Sequence, residues 1–255
     1  MKPIIEAHRG FSARFPENTM RAFREAIAEG APSIELDIHS SKDDVLVVMH
    51  DESVERTTNG KGNLGDLTLE EIKALDAGAW KDPAFKGERV PTLEETLKLT
   101  DEFGVAFNIE VKRFNSAKQA EKLVELIKAH KPAEGRTHVV SSFQEEALLQ
   151  TRDAGCDVPL CFLSSKMPSA LEVAKANSFP WIHIWDGVLA ADVVKAAHDA
   201  GIKVMVWTVN DATRYDELYA MGVDKICTNW CKEMLAAERI HIILENERKN
   251  GKPSL

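Results

Sequence analysis

Two segments set acids on alternate positions of an apolar run: Glu35-Leu36-Asp37, followed by Ile38, and Asn108-Ile109-Glu110-Val111-Lys112. Side chains alternate in direction along a strand, so Glu35 and Asp37 share one face, and Asn108, Glu110 and Lys112 share a face of another strand. Carboxylates crowded on one face repel unless a positive charge lies between them. A divalent cation with oxygen ligands supplies that charge, and Glu110 converging on Glu35 and Asp37 makes an all-oxygen set. Such donors suit Mg²⁺ or Ca²⁺ rather than zinc, which favours His and Cys. Taken singly, each acidic strand also fits a solvated surface strand.

His8-Arg9-Gly10 follows the first apolar run, and His50-Asp51 ends the run Val45–Met49. Two imidazoles titrating near neutrality can divide the cleavage of a phosphate ester. One assists the attacking oxygen and the other protonates the leaving alkoxide. The Arg9 fork matches phosphate oxygens. Lys112 reads either as a second phosphate contact or as the ion-pair partner that fixes Glu110. Glu17-Asn18-Thr19 reads as a helix start, with acid and amide suited to the first turn. Trp185 and Trp207 end later strands; each either lines a mouth, where an indole can stack on a cation, or packs in the core. His39 shares the Asp37 face as a supporting or an exposed residue. His130, His138, His183, His198 and His241 read as structural.

The elements that must position these residues are short β-branched runs alternating with helical patterns. The predicted strands are Ile4–Ala7, Ser33–His39, Val45–His50, Val105–Val111, His138–Ser141, Val158–Phe162, Trp181–Trp185, Lys203–Thr208 and Lys225–Thr228. Predicted helices span Glu17–Glu29, Leu93–Phe103, Lys118–His130, Gln144–Ala154, Ala170–Ala176, Ala191–Ala200, Thr213–Met221 and Lys232 to about Arg248, and several end on glycine as a C-terminal cap. This order implies parallel strands joined by right-handed crossovers, and the length suits an α/β TIM (β/α)₈ barrel. An open doubly wound sheet is the other reading, disfavoured in its dinucleotide form because no G-x-G-x-x-G follows the first strand. The polar groups then fall at strand C-termini, where barrels carry their active sites. Residues 1–255 read as one domain. A stretch from about 51 to 90, after the second barrel strand, lacks a strand–helix period and reads as a cap over the mouth. The polar tail Asn246–Leu255 reads as frayed.

Composition bounds the partners. A formal net charge of -9 on 255 residues argues against nucleic acid, which needs an excess of Lys and Arg. A small anionic substrate remains compatible, because a bound cation reverses the local field. The apolar run at Pro3–Ile5 is too short for a secretory signal, and no window approaches the ~20 apolar residues of a membrane span. Cys156, Cys161, Cys227 and Cys231 form no CxxC pair and read as reduced thiols. A cytoplasmic location is the expectation.

Taken in order, Ala7-His8-Arg9-Gly10, Pro16-Glu17-Asn18-Thr19, Ile34-Glu35-Leu36-Asp37, Val47-Val48-Met49-His50-Asp51, Arg56-Thr57-Thr58-Asn59-Gly60, Asn108-Ile109-Glu110-Val111-Lys112, Ser141-Ser142-Phe143, Trp207-Thr208-Val209-Asn210 and Gly222-Val223-Asp224 resemble the glycerophosphodiester phosphodiesterase family from about residue 3 to 230. Asp76-Ala77-Gly78-Ala79-Trp80 looks like its short cytoplasmic bacterial members. The sequence departs where the family has Lys-Asp-Gly, here Lys42-Asp43-Asp44, and at Cys231, where the family often has Pro. Asp tolerates φ > 0 well enough to keep the first turn.

The resemblance implies a TIM barrel with an insertion after the second strand. It implies a Mg²⁺ or Ca²⁺ ion on Glu35, Asp37 and Glu110, an acid–base pair of His8 and His50, and phosphate contacts from Arg9 and Lys112, with Glu17 also near the site. The substrate expected is a small glycerophosphodiester, such as glycerophosphocholine or glycerophosphoethanolamine, yielding sn-glycerol 3-phosphate and an alcohol. A lysophospholipase D acting on lysophospholipids is one alternative. A barrel that binds a phosphodiester without cleaving it is another.

Overall fold

The computed structural model describes residues 2–167 and 169–249. Strand β1 (Ile4–His8) leads through helix α1 (Met20–Ala28) to β2 (Ser33–Ser40), after which β3 (Leu46–Val48), α2 (Leu69–Ala74) and α3 (Leu93–Phe103) precede β4 (Ala106–Val111). Strict alternation follows: α4 (Ala117–Ala129), β5 (Val139–Ser142), α5 (Glu145–Asp153), β6 (Leu160–Ser164), α6 (Ser169–Asn177), β7 (Trp181–Trp185), α7 (Ala191–Asp199), β8 (Lys203–Trp207), α8 (Tyr215–Met221), β9 (Lys225–Thr228) and α9 (Cys231–Lys249). The order β1-β2-β4-β5-β6-β7-β8-β9 closes through parallel β1–β9 pairing into a TIM barrel.

Period-two alternation explains the register. Ile34, Leu36, Ile38, Phe107, Ile109, Val204, Val206 and Ile226 are buried in the helix–strand core. The intervening residues of the barrel strands point inward, and many are polar: Glu6, Ser33, Glu35, Asp37, Asn108, Glu110, Ser141, His183 and Lys225 are all buried. A one-residue slip would exchange these sets, so burial fixes the pairing strongly. Below the mouth the polar residues form a floor. Glu6 accepts from Lys225 Nζ at 2.6 Å, Ser33 Oγ at 2.6 Å and Asn108 Nδ2 at 2.9 Å, and Ser141 Oγ donates to Asn108 Oδ1 at 2.8 Å. Burial alone would raise the Glu6 carboxyl, but the Lys225 ammonium and these donors hold it below its usual range.

Three sequence expectations need correction. The strand expected at Val45–His50 is only Leu46–Val48, and it runs antiparallel to β2 as a hairpin arm outside the barrel. The turn at Ser41–Asp44 reverses the chain, with Asp44 at φ 62°, so the non-glycine residue does adopt the left-handed region. The stretch 51–90 also holds regular structure: α2, capped by the reciprocal Thr68–Glu71 pair, and an apolar cluster including Val47, Val54, Leu64, Ile72 and Val90. Helix α1 starts at Met20 rather than Glu17, because Asn18 is left-handed at φ 56° and Thr19 caps the helix by accepting from the Ala22 N–H. Gly10 has φ 80°, and a Cβ there would lie 2.6 Å from the Ala22 backbone, so the turn after β1 presses directly on α1. The described residues end at Lys249, and the rest of the expected frayed tail lies outside them.

Candidate active site at the barrel mouth

Glu35 and Asp37 project from β2 and Glu110 from β4, where Asp37 and Glu110 are register partners. One oxygen from each lies within 4.8 Å of the others, and all three residues are buried. Among the described residues this is the one such cluster of three. Burial and the neighbouring Asp37 and Glu110 charges push the Glu35 carboxyl well above its usual range, and burial with Asp37 pushes Glu110 up to about 7. Glu35 Oε1 is buried and accepts no hydrogen bond. Excess negative charge, all-oxygen donors and an idle acceptor fit a divalent cation.

Cations of the chain partly compensate. Lys112 Nζ lies 2.6 Å from Asp37 Oδ1 and also contacts Glu110, so the ion-pair reading of Lys112 describes its contacts. Arg9 has φ 56°; its backbone N–H donates to Glu35 Oε2 at 2.9 Å while its side chain reaches Glu17 at 2.8 Å and Asp37 at 3.3 Å. Burial would raise Asp37, yet Lys112 and Arg9 hold it far below its usual range. Asn18 Nδ2 donates to Asp37 Oδ2 at 2.8 Å.

The two histidines are supported differently. His8 Nδ1 lies 2.6 Å from Asn229 Oδ1, and burial and Arg9 push its imidazolium down to about 4. His50 Nδ1 lies 2.5 Å from Asp51 Oδ1, and burial lowers it as well. Arg56, from the insertion, donates to Asp51 at 2.6 Å and to Glu17 at 2.8 and 3.0 Å, holding the Asp51 carboxyl at about 2. His39 Nε2 donates to the His50 carbonyl at 3.0 Å, a supporting place. A cavity of about 260 Å³ is lined by His8, Glu35, His50, Glu110, Phe143 and Trp207. Phe143 meets Trp207 edge to face at 5.5 Å, and Trp185, register partner of Trp207, stands exposed on the rim.

His8, Arg9, Glu17, Glu35, Asp37, His50, Glu110, Lys112 and Trp207 therefore gather at one end of the barrel. The route differs for His50: it arrives on the returning hairpin arm, where Met49 N–H donates to the Asp37 carbonyl, and not at the C-terminus of a barrel strand. The sequence reading gives Asn18, Asp51, Arg56, Phe143 and Asn229 no individual role in the site. Asn18 had a readable signal, since Asn is among the residues that accept a left-handed backbone. Asn229 had none, because its contact with His8 spans the closure of the barrel.

A buried acidic triad with flanking imidazoles at the C-terminal mouth of a (β/α)₈ barrel sits where TIM-barrel enzymes carry their active sites. Residues 8–232 match the model of the Glycerophosphoryl diester phosphodiesterase family, and the chain belongs to that family as a phosphoric diester hydrolase. A glycerophosphodiester phosphodiesterase of Caldanaerobacter subterraneus subsp. tengcongensis is 36% identical over 236 residues, 90% of this chain and 95% of that protein. A phosphodiesterase from Oleispira antarctica, solved in complex with the product sn-glycerol-3-phosphate, superposes with a TM-score of 0.88 at 30% identity, covering 93% of this chain and 97% of that one. A glycerophosphodiester phosphodiesterase from Agrobacterium tumefaciens gives a TM-score of 0.80 at 31% identity over 92% and 100% of the two chains. No helix among the described residues is long and apolar enough to cross a membrane.

Proposed function

We propose that the chain hydrolyses glycerophosphodiesters such as glycerophosphocholine and glycerophosphoethanolamine to sn-glycerol 3-phosphate and an alcohol, in a reaction that depends on Mg²⁺ or Ca²⁺. The observation that carries this reading is the joint lining of one cavity by His8, His50, Glu35 and Glu110. The product complex of the Oleispira antarctica relative supports the glycerol 3-phosphate product.

Glu35, Asp37 and Glu110 would hold the cation, which when bound supplies positive charge for the phosphate oxygens. Arg9 and Lys112, already inside the cluster, add charge on the same side. An amide oxygen only accepts, so His8 carries its proton on Nδ1 toward Asn229 and presents the Nε2 lone pair to the cavity as the base. His50 is held through Nδ1 by the Asp51 carboxylate, which offsets part of the lowering that burial causes, and serves as the acid that protonates the leaving alkoxide. Glu17 holds Arg9 and Arg56 together. Trp207 and Phe143 offer aromatic faces to the alcohol portion, which favours a quaternary ammonium head group.

The test is to strip the protein of metal, add glycerophosphocholine, and follow glycerol 3-phosphate after adding Mg²⁺ or Ca²⁺, for wild type and His50→Ala. Release that requires the ion and collapses in the variant supports the reading. If neither glycerophosphocholine nor glycerophosphoethanolamine is turned over with either ion, the substrate assignment fails.

A further inference from the structure

The opposite end of the barrel holds a cavity of about 580 Å³, larger than the one at the mouth. That volume lies within the roughly 300–1,000 Å³ typical of small-molecule pockets. Its wall is largely apolar, with Ile4, Val139, Trp181 and Leu235 contributing, and Ile4 is 44% exposed although it belongs to a barrel strand. Four cationic residues also line it: Lys2, Arg136, Lys203 and Lys225. Two have carboxylate partners, Lys225 with buried Glu6 at 2.6 Å and Lys2 with Glu238 at 3.3 Å. The other two meet no carboxylate among the described residues. The Arg136 side chain donates to the Gly104 carbonyl at 3.1 Å, and Lys203 Nζ lies 5.3 Å over the Trp181 ring. An apolar chamber bearing two uncompensated cations, in a chain of net charge -9, is complementary to an amphiphilic anion.

We propose that this chamber binds a medium-chain fatty carboxylate, with the alkyl chain against Ile4, Val139, Trp181 and Leu235 and the carboxylate drawn to the cations Lys203 and Arg136 that line it. A planar two-oxygen anion suits the Arg136 fork, and an unbranched chain suits the apolar part of the wall. The Glu6–Lys225–Ser33–Asn108 floor lies between this chamber and the mouth, so the ligand occupies a site separate from the acidic triad. Burial of each methylene strengthens binding about fourfold, which predicts decanoate over octanoate by roughly fifteenfold.

Titration calorimetry of the full chain with sodium decanoate, below its micelle threshold, tests the site. The expected result is saturable binding that weakens at least tenfold in the double variant Lys203→Glu and Arg136→Glu, while glycerophosphodiester turnover without decanoate stays unchanged. Should the double variant melt early, Lys203→Gln alone replaces it, with a smaller loss expected. Saturating sn-glycerol 3-phosphate leaves decanoate binding intact. Absence of binding, equal binding of decyltrimethylammonium, an unchanged affinity in folded variants, or displacement by glycerol 3-phosphate would each overturn the proposal.

Discussion

Glu35 is where the crowding of carboxylates in the site is most costly. Its carboxyl is buried beside Asp37 and Glu110, whose charges push it upward, and one of its oxygens accepts nothing. In metal-free protein that crowding is a cost, so Glu35→Gln should raise the melting temperature of the metal-stripped form. Relief of about 1–2 kcal/mol corresponds to a shift of several degrees in a chain of this size. The same variant should lose the rise in melting temperature that Mg²⁺ or Ca²⁺ gives the wild type, because a ligand is gone. Calorimetric scans of both proteins with and without ion read both effects. A metal-free variant less stable than wild type would show that Glu35 is satisfied by the chain itself. The histidines invite a kinetic comparison. His8→Ala and His50→Ala should each reduce turnover about 10²- to 10⁴-fold. Asn229→Ala should lower kcat less and leave KM nearly unchanged, since its side chain contacts the His8 ring and Ser12 rather than the cavity. A KM change larger than the kcat change would instead place Asn229 against the substrate.

At the scale of elements, the hydrophobic period revealed the barrel strands and most helices within a residue or two, because each buries one face and caps on local residues. Helix α3 begins on the Thr92–Glu95 capping box and ends on left-handed Gly104, all visible in sequence. The hairpin arm β3 was legible as an apolar run but not as antiparallel, since strand direction depends on the turn and partner rather than on composition. The same limit hid Arg56: its ion pairs with Glu17 and Asp51 join segments whose proximity only the folded insertion creates. The turn after β1 illustrates how tightly elements fix the site. Gly10 follows Arg9 directly, and a Cβ would meet the Ala22 backbone. Gly10→Ala should therefore cost about 1–3 kcal/mol in strain and displace Arg9. A melting temperature lower by several degrees, with a raised KM for glycerophosphocholine, is the expected pair of readings. Unchanged melting would mean that α1 yields without loss.

For the whole molecule, acid sensitivity should come largely from groups sealed inside the barrel. His183 on β7 is fully buried, neither ring nitrogen has a hydrogen-bond partner, and burial pushes its imidazolium down to about 3 from 6.5. The unfolded chain then binds a proton below about 6.5 while the folded chain does not. Stability is highest above that pH and falls as the solution is acidified toward about 3. Glu6 adds a separate loss at lower pH, because its folded carboxyl titrates below the unfolded value of 4.5, so its contribution persists above 4.5 and disappears as pH drops through the folded value. Replacing the imidazole by an apolar side chain isolates the first effect. His183→Leu should flatten the dependence of unfolding free energy on pH by about 1.4 kcal/mol per unit in the window between the two His183 values. It should also stabilise the protein at low pH more than at neutrality, since the polar ring is already uncharged there. Denaturant unfolding at a series of pH values measures the slope. A variant as steep as wild type would show that His183 takes up a proton in the folded barrel, with the Glu6 carboxylate supplying compensating charge.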